Sequence, residues 1–168
     1  MSRFIALMFV CLATFASAQE KRPCIFCEIV KGQSPASQVY RDARVMAFMD
    51  IAPKNPGHVL VVPVEHSENL LDLPNETAKE MMGVAQRIVL AIKKTDIKAD
   101  AFQLRVNSGS LVQGIKHAHL HVVPRFHGDG GDRAEESTPK APREELDALA
   151  KKIRAALEQK DAPAAPGK

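Results

Sequence analysis

His117-Ala118-His119-Leu120-His121-Val122-Val123-Pro124 is the stretch on which the reading of this chain turns. In a β-strand successive side chains alternate faces, so the imidazoles at i, i+2 and i+4 project to one side. Ala118, Leu120 and Val122 project to the other. The stretch therefore predicts a strand with a histidine face and an apolar face that sits on a core. It holds three of the six histidines of the 168-residue chain, which argues against a chance run. Imidazoles grouped in this way can hold a metal, bind a phosphate or supply a nucleophile whose proton traffic runs near neutral pH.

Outward from that strand, residues 102–106 alternate as another strand, and Asn107-Ser108-Gly109-Ser110 makes a polar loop between the two. Further upstream, residues 38–41 and 45–51 flank the turn Asp42-Ala43-Arg44 and read as a hairpin. Residues 25–30 lead into the turn-prone Lys31-Gly32-Gln33-Ser34-Pro35. A Pro- and Gly-bearing loop, residues 52–57, precedes His58-Val59-Leu60-Val61-Val62-Pro63, which reads as a buried central strand stopped by proline. From about Asn75 to Thr95 the period is helical through Met81, Val84, Ala85, Ile88, Val89 and Ile92, with Thr77 and Glu80 placed as a capping box. Residues 128–140 are glycine-rich and charged and read as a mobile loop. Residues 142–159 form a second amphipathic helix through Leu146, Leu149, Ala150, Ile153 and Leu157. Strands without regular βα alternation, together with two helices, predict an α+β fold with an antiparallel sheet of about five strands.

The two ends lie outside this domain. Arg3, the apolar run from Phe4 to Phe15 and the small residues Ala16-Ser17-Ala18 have the order of a secretory signal peptide, so residues 1–18 are expected to be cut away after Ala18. The apolar run is short for a bilayer span and Gln19-Glu20-Lys21-Arg22 follows at once, so no stable membrane anchor is expected. Cys11 reads as an ordinary residue of the discarded leader. Residues 161–168, rich in Ala and Pro, read as a disordered tail, leaving residues 19–160 as one domain. The leader carries one basic and no acidic residue, so the mature formal charge is +2, one less than the +3 of the whole chain. That balance excludes a coat for nucleic-acid polymers and a polybasic membrane binder, and leaves room for an anionic small ligand. Export, periplasmic or secreted, also governs Cys24 and Cys27: their C-x-x-C spacing can serve as a reactive dithiol, a disulfide or half of a zinc site.

With Asn107 and Gln113 before it and Val122-Val123-Pro124-Arg125 at its end, the histidine strand resembles the signature of the histidine triad family of nucleotide-binding proteins. Cys24-Ile25-Phe26-Cys27, Ala47-Phe48-Met49-Asp50-Ile51, Pro56-Gly57-His58 through Pro63, and His66 fall in that family's order, so the resemblance spans nearly all of the mature chain. It implies a homodimer with the sheet continued across the interface. It also implies an enzyme that acts at the α-phosphate of a nucleoside phosphoramidate or (di)nucleoside polyphosphate through a covalent nucleotidyl-histidine. His119 is then the nucleophile and His121 contacts the phosphate. Gln113 and the backbone N–H groups from Gln113 through Gly114 to Ile115 are the phosphate donors. Asp50 accepts the ribose hydroxyls, Asn107 lies near phosphate or ribose, Ile29, Phe48 and Ile51 line the base pocket, and His58 supports the triad.

In relatives with the C-x-x-C, the resemblance implies a structural zinc site, here Cys24, Cys27, His66 and His117, and no catalytic metal. Two departures stand out: Val112-Gln113-Gly114 replaces the Gly-Gln-Ser of many phosphoramidases of this type, removing a hydroxyl and a flexible glycine. They are consistent with an alternative, an exported nucleotide- or metal-binding module with little turnover. A secreted metal carrier is a third reading, which leaves Asp50, Asn107 and Gln113 without a role. Exported protein is expected to begin at Gln19 and to scatter light as a dimer at micromolar concentration; material that retains residues 1–18, or a monomeric mass, contradicts the corresponding expectation.

Overall fold

The structure, a computed structural model, describes residues 24–131 and 138–159. The expected leader and tail, and part of the glycine-rich loop, lie outside those residues. Five strands form one sheet: β1 (Gln38–Arg41), β2 (Val45–Met49), β3 (Val59–Pro63), β4 (Ala101–Val106) and β5 (Leu120–Arg125). Their order is β1-β2-β3-β5-β4 and every pairing is antiparallel, as expected. The central strand is β3, fully buried along Val59–Pro63.

Alternation divides the sheet into two faces with different partners. One face presents Val45, Ala47, Met49, Val59, Val61, Leu120 and Val122 to the helices α2 (Asn75–Lys93) and α3 (Arg143–Glu158). These helices contribute Met81, Val84, Ala85, Ile88 and Ile92, and Leu146, Ala150 and Ile153, at the three- and four-residue steps the sequence predicts. Each fully buried aliphatic side chain contributes roughly 1.5–3 kcal/mol relative to exposure, so this layer holds most of the apolar driving force. The other face presents Met46, Phe48, Leu60 and Val62 to a short helix, α1 (Ile25–Val30), through Phe26 and Val30.

Three expectations are corrected. First, α1 is a helix beyond the two predicted, and a 3-10 turn at Leu70–Asp72 is added. Six residues give too little periodicity to be read as helical, and so short a helix depends on what it packs against. Second, Thr77 caps nothing: the chain enters extended at Pro74, α2 starts at Asn75, and no side chain caps its first turn. Third, the ladder of the histidine strand begins only at Leu120. His117-Ala118-His119 is held instead by the loops, with the Ala118 N–H donating to the Ser67 carbonyl at 2.7 Å and the His117 N–H to the Ile115 carbonyl at 2.8 Å. The alternation survives, because Leu120 and Val122 still enter the helical face while His119 and His121 border the other.

The turn that feeds β3 also needs its glycine. Gly57 has φ +88°, and a Cβ there would stand 3.0 Å from Ile97 Cδ1 and 3.1 Å from Pro124 Cγ. This close approach seats His58 against β5. Among the described residues no helix is long and apolar enough to cross a membrane.

Candidate functional site

The hydrogen-bond partners of four histidines fix which ring nitrogen carries the proton. A carbonyl oxygen can only accept, so His119 Nδ1, 2.7 Å from the His117 carbonyl, carries its hydrogen, and the Nε2 lone pair of the neutral ring is bare. By the same logic His117 Nε2 donates to the Pro63 carbonyl at 3.0 Å and leaves its Nδ1 bare. The Lys54 N–H donates to His58 Nδ1 at 3.2 Å, so His58 holds its proton on Nε2 and gives it to His121 Nδ1 at 3.0 Å. His121 then carries its remaining hydrogen on Nε2. That buried atom has no hydrogen-bond partner among the described residues, which leaves it open to a ligand.

Burial and the neighbouring imidazole and Arg105 charges push both His58 and His121 down to about 3. Both are neutral at physiological pH, so the 3.6 Å approach of His58 Nε2 to Asp50 Oδ2 is not an ion pair there. Asp50 is itself held above the ordinary carboxylate range by burial, partly offset by the Ala52 N–H at 2.9 Å.

His119 and His121 stand at the polar end of a cavity of about 260 Å³ between the sheet and α1. The structure brings Ile29, Phe48, Asp50, Ile51, Asn107, Gly114, His119 and His121 to its wall. Val112 and Ile115, the latter expected only through its backbone N–H, also line it, and Ile25, Phe26, Pro35, Ala36, Met49 and Leu60 complete the wall without having been anticipated. Phe26 packs edge-on against Phe48 and His119, with centroids 5.4 Å apart in each case, and wedges the nucleophile candidate in place. No signal in one sequence marks it, because α1 itself is invisible there.

Gln113 takes a different place from the one assigned. Its amide donates to the Glu68 and Ile115 carbonyls and accepts from the Gly109 N–H at 3.2 Å, so its side chain shapes the loop rather than facing the cavity. Its own N–H is taken by the Gly109 carbonyl at 3.0 Å.

On the far side of α1, Cys24, Cys27, His66 and His117 converge, with one donor atom of each within 4.8 Å of the others. Both cysteines are free thiols. The separations are 3.3 Å between the two Nδ1 atoms, 3.5 Å from each sulfur to His117 Nδ1, and 3.2 Å from Cys27 Sγ to His66 Nδ1. Tetrahedral zinc with its usual bond lengths requires edges of roughly 3.3 Å for N···N and roughly 3.6 Å for N···S. The four groups therefore fit such an ion, and the bare Nδ1 of His117 is the form that binds metal.

A family profile described as the HIT domain matches residues 31–128. The chain belongs to the HIT domain family. An uncharacterized HIT-like protein of Mycobacterium tuberculosis is 41% identical over 108 residues, 64% of this chain and 74% of that protein. The adenosine 5'-monophosphoramidase of Schizosaccharomyces pombe is 33% identical over 103 residues, 61% of this chain and 74% of that enzyme. Among solved structures, a zinc-bound histidine triad family protein from Mycobacterium smegmatis superposes with a TM-score of 0.70 at 36% identity, covering 82% of this chain and 94% of that one.

This HIT domain carries its own acid sensitivity. Unfolded histidine titrates near 6.5, whereas His58 and His121 titrate near 3 in the folded protein. Between those values the unfolded state binds protons that the folded state refuses, so stability falls as pH drops through that window. The expected urea midpoint falls from pH 7 to pH 4, each group contributing a slope of up to about 1.4 kcal/mol per pH unit. His58→Asn is expected to flatten that slope; an unchanged slope would show that the pair is not neutral in the folded state.

Proposed function

We propose that this protein is a nucleotide hydrolase or nucleotidyl transferase in which His119 attacks the α-phosphorus of a nucleoside phosphoramidate or nucleoside polyphosphate. The observation that carries the reading is the His119 ring, locked by the His117 carbonyl with its bare Nε2 beside the unpaired Nε2–H of His121 at the mouth of an apolar cavity. The name of the S. pombe relative supports a phosphoramidate as one substrate class.

In the first step the Nε2 lone pair forms a bond to phosphorus while the bond to the leaving group breaks, its electron pair departing with that group. The positive charge that develops on the ring is stabilised by the Nδ1–H bond to the His117 carbonyl. In the second step water attacks phosphorus, the P–N bond breaks, and the nucleoside monophosphate leaves with the ring restored. His121 Nε2–H donates to a non-bridging oxygen, aided by backbone N–H groups of Gly114 and Ile115. Asp50 and Asn107 hold the ribose, and Ile29, Phe48 and Ile51 enclose the base.

Zinc at Cys24, Cys27, His66 and His117 would be structural: with all four positions filled by protein it offers no open position to a substrate. The zinc-bound M. smegmatis relative and the donor spacing support that assignment. We further propose that the protein works outside the cytosol as a homodimer, a reading supported by its leader-like N-terminus and by β4, an edge strand with Leu104 exposed.

His119→Ala is expected to lower hydrolysis of adenosine 5'-phosphoramidate by about three orders of magnitude or more while nucleotide affinity is largely kept. His121→Ala is expected to cost less, because it removes a phosphate contact and not the attacking atom. Retained turnover in His119→Ala with a dead His121→Ala would reverse the two roles. Nucleotide binding without turnover in the unsubstituted protein would instead identify a binding module.

For the metal, about one zinc per subunit is expected in protein prepared reduced. Cys24→Ser or His66→Ala should lower both zinc content and melting temperature, since binding energy at a structural site is folding energy. Exported protein with Cys24 and Cys27 joined and no metal would replace zinc with a disulfide.

A further inference from the structure

The start of α2 leaves a set of donors unused. Pro74 precedes the helix without a side-chain cap, and the Ala78 N–H is the first of the chain there to find an acceptor, the Pro74 carbonyl at 3.0 Å. The N–H groups of Asn75, Glu76 and Thr77 have no acceptor among the described residues. They stand at the positive end of a 19-residue helix.

A cavity of about 170 Å³ lies against this end, walled by Pro74 and Thr77 of the helix, Arg44 of the turn before β2, and Glu65 and Ser67 of the segment after β3. It shares no residue with the histidine cavity. Ser67 marks it as more than a helix end. That residue is 9% exposed, and its hydroxyl has no hydrogen-bond partner among the described residues. Its carbonyl is fixed by the Ala118 N–H at 2.7 Å, so the residue cannot turn away to find one. Buried hydroxyls are ordinarily bonded, and an unbonded one on a cavity wall calls for an occupant of that cavity.

The charges on the wall say which occupant fits. Arg44 has no carboxylate partner and Glu65 no cationic one among the described residues, although both border the same cavity. The guanidinium, the Ser67 and Thr77 hydroxyls and the helix N–H groups all donate, which suits an oxyanion. An ionised Glu65 can only accept. An oxyanion that has kept a proton satisfies both demands, with its bare oxygens toward the donors and its O–H toward Glu65. Inorganic phosphate keeps at least one proton at neutral pH, whereas sulfate keeps none.

We propose that this cavity is a binding site for inorganic phosphate, separate from the nucleotide site and independent of the chemistry at His119. The test follows the backbone amide resonances of Asn75, Glu76 and Thr77 in the full chain while phosphate or sulfate is titrated at neutral pH and constant ionic strength. Saturable shifts are expected with phosphate, and sulfate should bind about tenfold more weakly, because it leaves Glu65 without a donor. Arg44→Gln should weaken phosphate by about tenfold, and Ser67→Ala should weaken it to a smaller degree. Glu65→Gln should bring the two anions close to equal, since an amide can donate to a bare oxygen. Phosphate that enters the histidine cavity shifts Gly114 and His119 instead, so the two sites are read separately. Amides at 75–77 that stay still, that respond equally to both anions, or whose response survives Arg44→Gln overturn the proposal.

Discussion

One hydrogen bond orders the rest of this site: that from His119 Nδ1 to the carbonyl of His117. A histidine free to rotate or to exchange tautomers presents its lone pair only part of the time, and here both freedoms are removed by two residues of backbone. That carbonyl is itself fixed, because the ring of the same residue is pinned by Pro63 on one side and by the cysteine cluster on the other. Phe26 closes the remaining space. His119 is thus held by the backbone of one histidine whose side chain belongs to the separate cluster of Cys24, Cys27 and His66.

The second pair, His58 and His121, answers a different requirement. A buried ring nitrogen left open to a ligand must hold its hydrogen in a fixed place. Burial drives both rings to the neutral form, and the relay from the Lys54 N–H through His58 leaves a single hydrogen on the cavity side of His121. Gly57, seated against Ile97 and Pro124 where a Cβ would not fit, sets the height of His58 in that relay.

Much of this was legible in the sequence wherever a period of two or of 3.6 ran long enough. The hairpin of β1 and β2, the all-apolar β3, the α2 and α3 stripes and the segregation of the histidines from Leu120 and Val122 follow from such patterns. That Asp50, Asn107, His119 and His121 share one cavity wall was reachable because their chemistry is conspicuous in a family pattern. What was hidden depended on tertiary contact: α1 is a single short turn and a half whose helicity comes from docking, and Phe26 and Leu60 are indistinguishable from core residues by sequence. Gln113 was misplaced for the same reason, since only the loop's own path decides whether an amide meets a ligand or the surrounding backbone.

The position of α1 has a thermodynamic consequence. This helix supplies Ile25, Phe26 and Ile29 to the cavity and, at its start and first turn, Cys24 and Cys27 to the cluster. So short a segment gains little from its own hydrogen bonds and is held by these two sets of neighbours. An occupant of either side pays part of the ordering entropy that the other would otherwise meet. Were an ion to sit at the cysteines and a nucleotide in the cavity, the two occupancies would be linked, and reciprocally: whatever factor the one lends to the hold on the other, the other lends back.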